Sequence, residues 1–62
     1  MNKWWGYLHI NGSVQVKRVF DQRSYDIARQ DAQESDFVIA VTWQFDAIDR
    51  ADALRQAEEI LK

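Results

Sequence analysis

The side chains best suited to catalysis or to ligand recognition lie in the first eighteen residues of this chain. Trp5, Tyr7 and His9 alternate along one apolar run, and Lys17 and Arg18 follow soon after it. Histidine can serve as a general base or as a switch near neutral pH. Aromatic rings among basic residues can stack on the bases of single-stranded nucleic acid. The spacing therefore raises two kinds of chemistry, which are acid–base catalysis and aromatic recognition.

Catalysis lacks the partners that it needs. His9 is the only histidine, and Ser13, at a hairpin turn, is the only nucleophile beside it. A chain of 62 residues also offers little room for the pocket of about 300 Å³ that ligand sites usually need. There is no cysteine, and the acidic residues do not have the spacing of a calcium loop. We expect no enzyme, no catalytic residue, no metal and no cofactor.

The charge is divided unevenly along the chain. The net charge is −2, but residues 1–20 carry three basic residues and no acid, whereas residues 21–62 carry ten acids and five bases. The apolar start is too short and too interrupted for a secretory signal or a membrane span. These features predict one small cytoplasmic domain over residues 1–62, of modest stability.

Asn11 and Gly12 separate two apolar runs, which is the strongest short-range signal of a β-hairpin. A two-residue turn pairs Ile10 with Ser13 and mixes both faces of the ribbon. A bulged turn with Gly12 in the left-handed conformation pairs His9 with Ser13 and separates apolar from polar residues. Register follows the hydrophobic pattern where one face is buried, so the bulged turn is favoured.

Two helices and a third strand follow the hairpin. Asp21 or Ser24 can cap a helix that ends near Ser35, and Asp49 can cap a second one over the remainder of the chain. Residues 37–45 between them alternate cleanly, which predicts a strand with Phe37, Ile39, Val41, Trp43 and Phe45 on one face.

The order β-β-α-β-α predicts an α+β fold with a three-stranded sheet in the order 2-1-3 and both helices packed on one face. The predicted inner face carries these residues: Trp4, Leu8, Val14, Val16, Phe20, Phe37, Ile39, Val41, Trp43 and Phe45. The other face is expected to stay open to a partner.

Two surfaces are candidates for recognition. The open face places exposed aromatic, basic and polar groups together: Lys3, Trp5, Tyr7, His9, Gln15, Lys17, Arg18 and Thr42. Exposed aromatic patches often mark interfaces, although such rings can also merely shield the sheet backbone. The strand over 37–45 has no charged guard within residues 37–45, so its edge can pair with a partner strand or, in a homodimer, with its own copy.

The run WWGY, the stretch HINGSVQVKRVFD and the later stretch FDAIDRADAL resemble short uncharacterised proteins of bacteriophages and prophages. No activity or site residue comes with this resemblance. It implies a protein that binds and redirects a host macromolecule. We therefore expect a non-enzymatic module that binds a partner protein in the host cytoplasm, as an inhibitor or adaptor. Single-stranded nucleic acid is the alternative partner, and no membrane partner is expected.

Overall fold

The computed structural model describes all residues from Met1 to Lys62. The strands are β1 (Asn2–His9), β2 (Val14–Arg18), β3 (Val38–Val41) and β4 (Phe45–Ala47). The helices are α1 (Gln22–Glu34) and α2 (Arg50–Leu61). The predicted α+β class and the order β2-β1-β3 are confirmed, with β4 as a fourth strand that also pairs with β1. Neither helix has the length and apolar character needed to cross a membrane.

The hairpin adopts the bulged turn that the sequence favoured. The His9 N–H donates to the Ser13 carbonyl at 2.8 Å, and Gly12 has a φ of +90°. Trp4 faces Arg18, Gly6 faces Val16 and Leu8 faces Val14 across the two strands. Glycine is the residue that enters the left-handed region without a steric penalty, so Gly12 fixes this register.

The strand predicted over residues 37–45 is divided into β3 and β4, which lie end to end along β1. Tyr7 faces Val41 and Trp4 faces Phe45, so two residues of β1 span three residues of the partner segment. Thr42 explains the break. Its hydroxyl accepts the Gly6 N–H at 2.9 Å, while its own carbonyl turns away and accepts the Arg29 Nε–H at 3.0 Å.

These irregularities reverse part of the predicted inner face. A second shift of register lies beside Leu8 and His9. Each extra residue in a strand moves the following side chains to the other face. The side chains of Phe37, Ile39 and Trp43 are therefore 61–74% exposed, and the Phe20 side chain, beyond the end of β2, is also exposed.

The expectation that both helices cover one face is wrong. Side chains of paired residues share a face, so Trp4 and Gly6 point to one side of the sheet and Trp5 and Tyr7 to the other. On the first side, α2 packs on a core of five buried residues: Trp4, Val16, Ala47, Ala53 and Ala57. On the second side, α1 lies over β3, and its Tyr25 ring meets the Trp5 ring edge-on at 6.2 Å.

Both helices begin at the predicted caps. Asp21 accepts a hydrogen bond from the Ser24 N–H, and Asp49 accepts one from the Asp52 N–H, each at 2.8 Å. Tyr25 is the only buried residue of α1. Because the sheet-facing side of α1 is otherwise thin in large apolar groups, the helix is anchored at its first turns.

Candidate functional site

Two of the eight predicted binding residues are buried in the fold. Trp5 is 2% exposed and lies beneath α1, which closes over the face that was expected to stay open. Thr42 is 3% exposed, and its hydroxyl already accepts the Gly6 N–H. Neither side chain is available to a partner, so both are structural residues.

Three other predicted residues come together beside α1. Tyr7, His9 and Lys17 line an open groove of about 360 Å³ between the hairpin and the helix, which we call the α1 groove. Its remaining lining residues are Trp5, Ala28, Asp31, Ala32, Ser35, Phe37 and Val38. The α1 groove is what remains of the open sheet face after α1 has covered Trp5.

The last three predicted residues lie apart from one another. Lys3 forms an ion pair with Asp46 at 2.9 Å. Gln15 is exposed on β2 opposite Tyr7. Arg18 donates to the Asn2 side chain at 2.9 Å, and it belongs to the α2 side of the sheet because it faces Trp4. The basic patch expected on one face is therefore split between two.

The outer strands of the sheet have backbone N–H and C=O groups that no neighbouring strand binds, and side chains of α2 bind two of these groups. Arg50 Nη1 donates to the Val16 carbonyl of β2 at 3.2 Å. Gln56 Nε2 donates to the Asp46 carbonyl of β4 at 3.0 Å. Both carbonyls point away from β1, so α2 side chains satisfy them where no neighbouring strand exists.

Two α1 side chains cover the segment between β3 and β4. Arg29 binds the Thr42 carbonyl, as described above, and the Tyr25 hydroxyl accepts the Gln44 N–H at 3.0 Å. No side chain makes a comparable bond to β3, whose only paired neighbour is β1.

The uncovered backbone of β3 can be located from its pairing. The Thr42 N–H donates to the Gly6 carbonyl at 2.8 Å, and Ala40 faces Leu8. Bonding direction alternates along an antiparallel strand, so the N–H and C=O of Val41 point away from β1. We call the outer side of Val38–Val41 the β3 edge. A shallow groove of about 300 Å³ runs along it, with Arg29 and Gln33 on the helix side.

Large apolar side chains flank the β3 edge. Phe37, Ile39 and Trp43 are more than half exposed at or beside it. The Arg29 guanidinium lies 3.8 Å from the centre of the Trp43 ring, which is a cation–π contact. Tryptophan and arginine are the residue types most enriched at energetic centres of interfaces.

The two carboxyl groups with shifted pKa values, Asp21 and Asp52, lie at the N-terminal ends of the helices. Hydrogen bonds from Ser24 hold the pKa of Asp21 below its usual value. The Arg55 side chain and then the Ile48 N–H lower the pKa of Asp52, and the bond to Asp52 raises the pKa of Arg55. The acidic side chains and His9 do not gather into a set that can hold a metal ion.

Comparison of the chain with protein-family models, with curated proteins and with solved structures finds no match.

Sequence reasoning assigned Trp43, Ile39 and Phe37 to the core and did not select Arg29 or Asp31. The alternating pattern was real, but the strand is interrupted twice. One register shift lies beside Leu8 and His9, and the break between β3 and β4 depends on Thr42 reaching Gly6 across the sheet. No local signal reveals such a contact. The missing charged guard on the strand was the one visible clue to the β3 edge.

Proposed function

We propose that this chain is a non-enzymatic interaction module that binds a partner protein by accepting a strand at the β3 edge. The observation that carries this proposal is the contrast among the outer strands. Helix side chains bind outward-pointing carbonyls of β2 and β4, whereas no side chain bonds to the backbone of β3 and no residue of β3 is charged. Natural proteins usually protect exposed edges, so an unprotected one is a ready place for strand addition.

In strand addition, backbone hydrogen bonds provide affinity and side-chain contacts provide specificity. The N–H and C=O of Val41 supply hydrogen bonds that any extended segment can make. The exposed Ile39 and the Trp43 ring under Arg29 supply apolar contacts beside them. A partner segment with apolar residues at alternate positions fits this arrangement. The partner's remaining surface can reach Tyr7 and Lys17 in the neighbouring α1 groove.

A second copy of the chain is one such partner. Two β3 strands paired antiparallel about a twofold axis give a closed homodimer, because each edge satisfies the other. In the more specific version of the proposal, the chain is a phage-type inhibitor or adaptor that acts in the host cytoplasm. The resemblance of the hairpin sequence supports that context.

Single-stranded nucleic acid remains the alternative partner. Lys17 and Tyr7 are accessible to it in the α1 groove. Two features count against it, since Trp5 cannot stack on a base and Lys3 is paired with Asp46. The ten acidic residues also repel a phosphate backbone.

The test compares partner binding by two variants at the same residue. Val41→Pro removes the outward N–H without touching a bond to β1, and Val41→Ala keeps that N–H while trimming a similar amount of side chain. A partner captured by the wild-type chain is purified and titrated against both. We expect binding to be lost in Val41→Pro and retained in Val41→Ala, with both variants folded by circular dichroism.

Sedimentation of the same proteins over a wide concentration range measures whether each forms a homodimer. A wild-type dimer that Val41→Pro converts to a monomer supports the β3 edge. Equal binding by both variants contradicts it. Binding to oligothymidine that weakens steeply with salt and ignores Val41→Pro supports the nucleic-acid alternative instead.

A further inference from the structure

The α1 groove exists because the sheet-facing side of α1 changes in size along its length. Tyr25 fills the space over Trp5, and the next sheet-facing positions are the small residues Ala28 and Ala32, with Ser35 just beyond the end of the helix. The sheet beneath them carries the large side chains of Tyr7 and His9. The helix is therefore in contact at its first turns and leaves a gap over the rest.

The surface of this gap suits a flat ring. Trp5 and Tyr7 lie side by side with ring centres 5.7 Å apart. His9 and Phe37 stack at the far end, with centres 6.2 Å apart and planes only 12° from parallel. The alanine methyl groups form the opposite wall. Aromatic rings gain most from offset or edge-on contacts with other rings, and the accessible rings of Tyr7, His9 and Phe37 provide them in this groove.

Two unpaired charges face each other across the same gap. Lys17 stands on β2, on the far side of β1 from β3, whereas Asp31 stands on α1, which lies over β3. Neither takes part in an ion pair, although the chain forms three of them elsewhere. A ligand with one group of each sign can meet both.

His9 adds a directed donor. Its Nδ1 accepts the Asn11 N–H at 3.2 Å, so the neutral ring carries its proton on Nε2. The turn of the hairpin thereby fixes which nitrogen can donate to a ligand.

We propose that the α1 groove binds a small aromatic zwitterion of the size of a free aromatic amino acid. Its ring lies between the Tyr7 ring and the Ala28 and Ala32 methyl groups. Its carboxylate meets Lys17, and its ammonium group meets Asp31. The volume of about 360 Å³ falls within the range of small-molecule sites. This site shares Val38 with the groove along the β3 edge, but its two charged groups, Lys17 and Asp31, lie off that edge, so the two sites can be tested independently.

The test is a nuclear magnetic resonance titration of the whole chain with four probes that share one ring. L-Tryptophan carries both charges, tryptamine lacks the carboxylate, indole-3-propionate lacks the ammonium group, and indole lacks both. We expect shifts at the Ala28 and Ala32 methyl groups, with L-tryptophan binding tightest. Removal of each charge should weaken binding by about twofold to fivefold, as for an exposed ion pair.

Variants assign each charge to its partner. In Lys17→Gln, L-tryptophan and tryptamine should bind equally, and in Asp31→Asn, L-tryptophan and indole-3-propionate should bind equally. Ala32→Leu fills the groove and should abolish binding, whereas Ala51→Leu, at an exposed position of α2, should leave it unchanged.

Two results overturn the proposal. One is the absence of methyl shifts at Ala28 and Ala32 with every probe. The other is indole binding as tightly as L-tryptophan, because the charges would then play no part. Val41→Pro should leave the titration unchanged, so failure of this site and failure of the β3 edge are distinguishable.

Discussion

Ala57 of α2 packs directly against Gly6 of β1. A methyl group placed on Gly6 would lie 3.1 Å from the Ala57 Cβ and 2.9 Å from the Gln15 carbonyl oxygen. Both distances are shorter than an ordinary van der Waals contact. Because Gly6 has no side chain and Ala57 has only a methyl group, the backbone of α2 lies close to β1, and Ala53 and Ala57 are completely buried.

Gly6→Ala should therefore destabilise the fold by about 1–3 kcal/mol, the usual cost of overpacking a core. Urea denaturation followed by circular dichroism measures this change. Adding Ala57→Gly should restore only part of the loss, because the Gln15 carbonyl belongs to the backbone and cannot move aside. A Gly6→Ala variant as stable as the parent chain would refute the close approach.

Thr42→Val should cost about 1–3 kcal/mol of stability, because it leaves the buried Gly6 N–H without an acceptor. Thr42→Ser retains the hydroxyl and serves as the matched control, so its loss should be smaller. The free energies of unfolding of the two variants test this. Equal losses would mean that the Thr42 methyl group, and not the hydroxyl, holds the junction between β3 and β4.

Trp5→Ala and Trp43→Ala should separate folding from binding. Burial of Trp5 predicts a loss of about 3–5 kcal/mol, which is enough to unfold so small a domain. Trp43 is mostly exposed, so its removal should hardly change the melting temperature but should weaken partner binding by about tenfold or more. Thermal melts and partner titrations give the two readouts. The reverse pattern would place Trp43 in the core and Trp5 at the surface.

Acid should destabilise the chain through the two helix-end carboxylates. The pKa values of Asp21 and Asp52 are lower in the folded chain than the value of about 3.9 for an unfolded aspartate. Their contribution is fully present above pH ~4 and is lost as the pH falls through the folded pKa values.

The melting temperature of an Asp21→Asn, Asp52→Asn double variant should therefore fall less steeply between pH ~4 and pH ~2 than that of the parent chain. Parallel curves would show that other groups cause the acid sensitivity.

Local signals in the sequence were sufficient for the hairpin and the helix ends. Asn11 and Gly12 specify the turn, and Asp21 and Asp49 cap the helices through bonds to residues only three positions away. Such contacts depend on neighbours in the chain, so they can be read from it. The order β2-β1-β3, in which a helix connects two strands that are not neighbours, was also predicted from the order of the elements.

The sidedness of the sheet was not predictable in the same way. Trp4 and Trp5 are adjacent and both are nearly completely buried, so each face of β1 needs its own cover. A prediction that looks for one buried face and one exposed face in each strand misses a strand that is buried on both faces. The hairpin register was enough to predict that Tyr7, His9 and Lys17 share one surface. The positions of Asp31 and Arg29 beside the two grooves depend on where α1 packs on the sheet.

Hydrogen exchange at the Val41 amide tests the β3 edge most directly. In the dilute free chain, the Val41 N–H should exchange fast while the Ala40 N–H, which faces β1, is protected. A lysine-flanked peptide of residues 37–43 then serves as an added strand. We predict that it slows exchange at Val41 and leaves Ala40 unchanged. Protection of Val41 in the free monomer, or no response to the peptide, would contradict an open β3 edge.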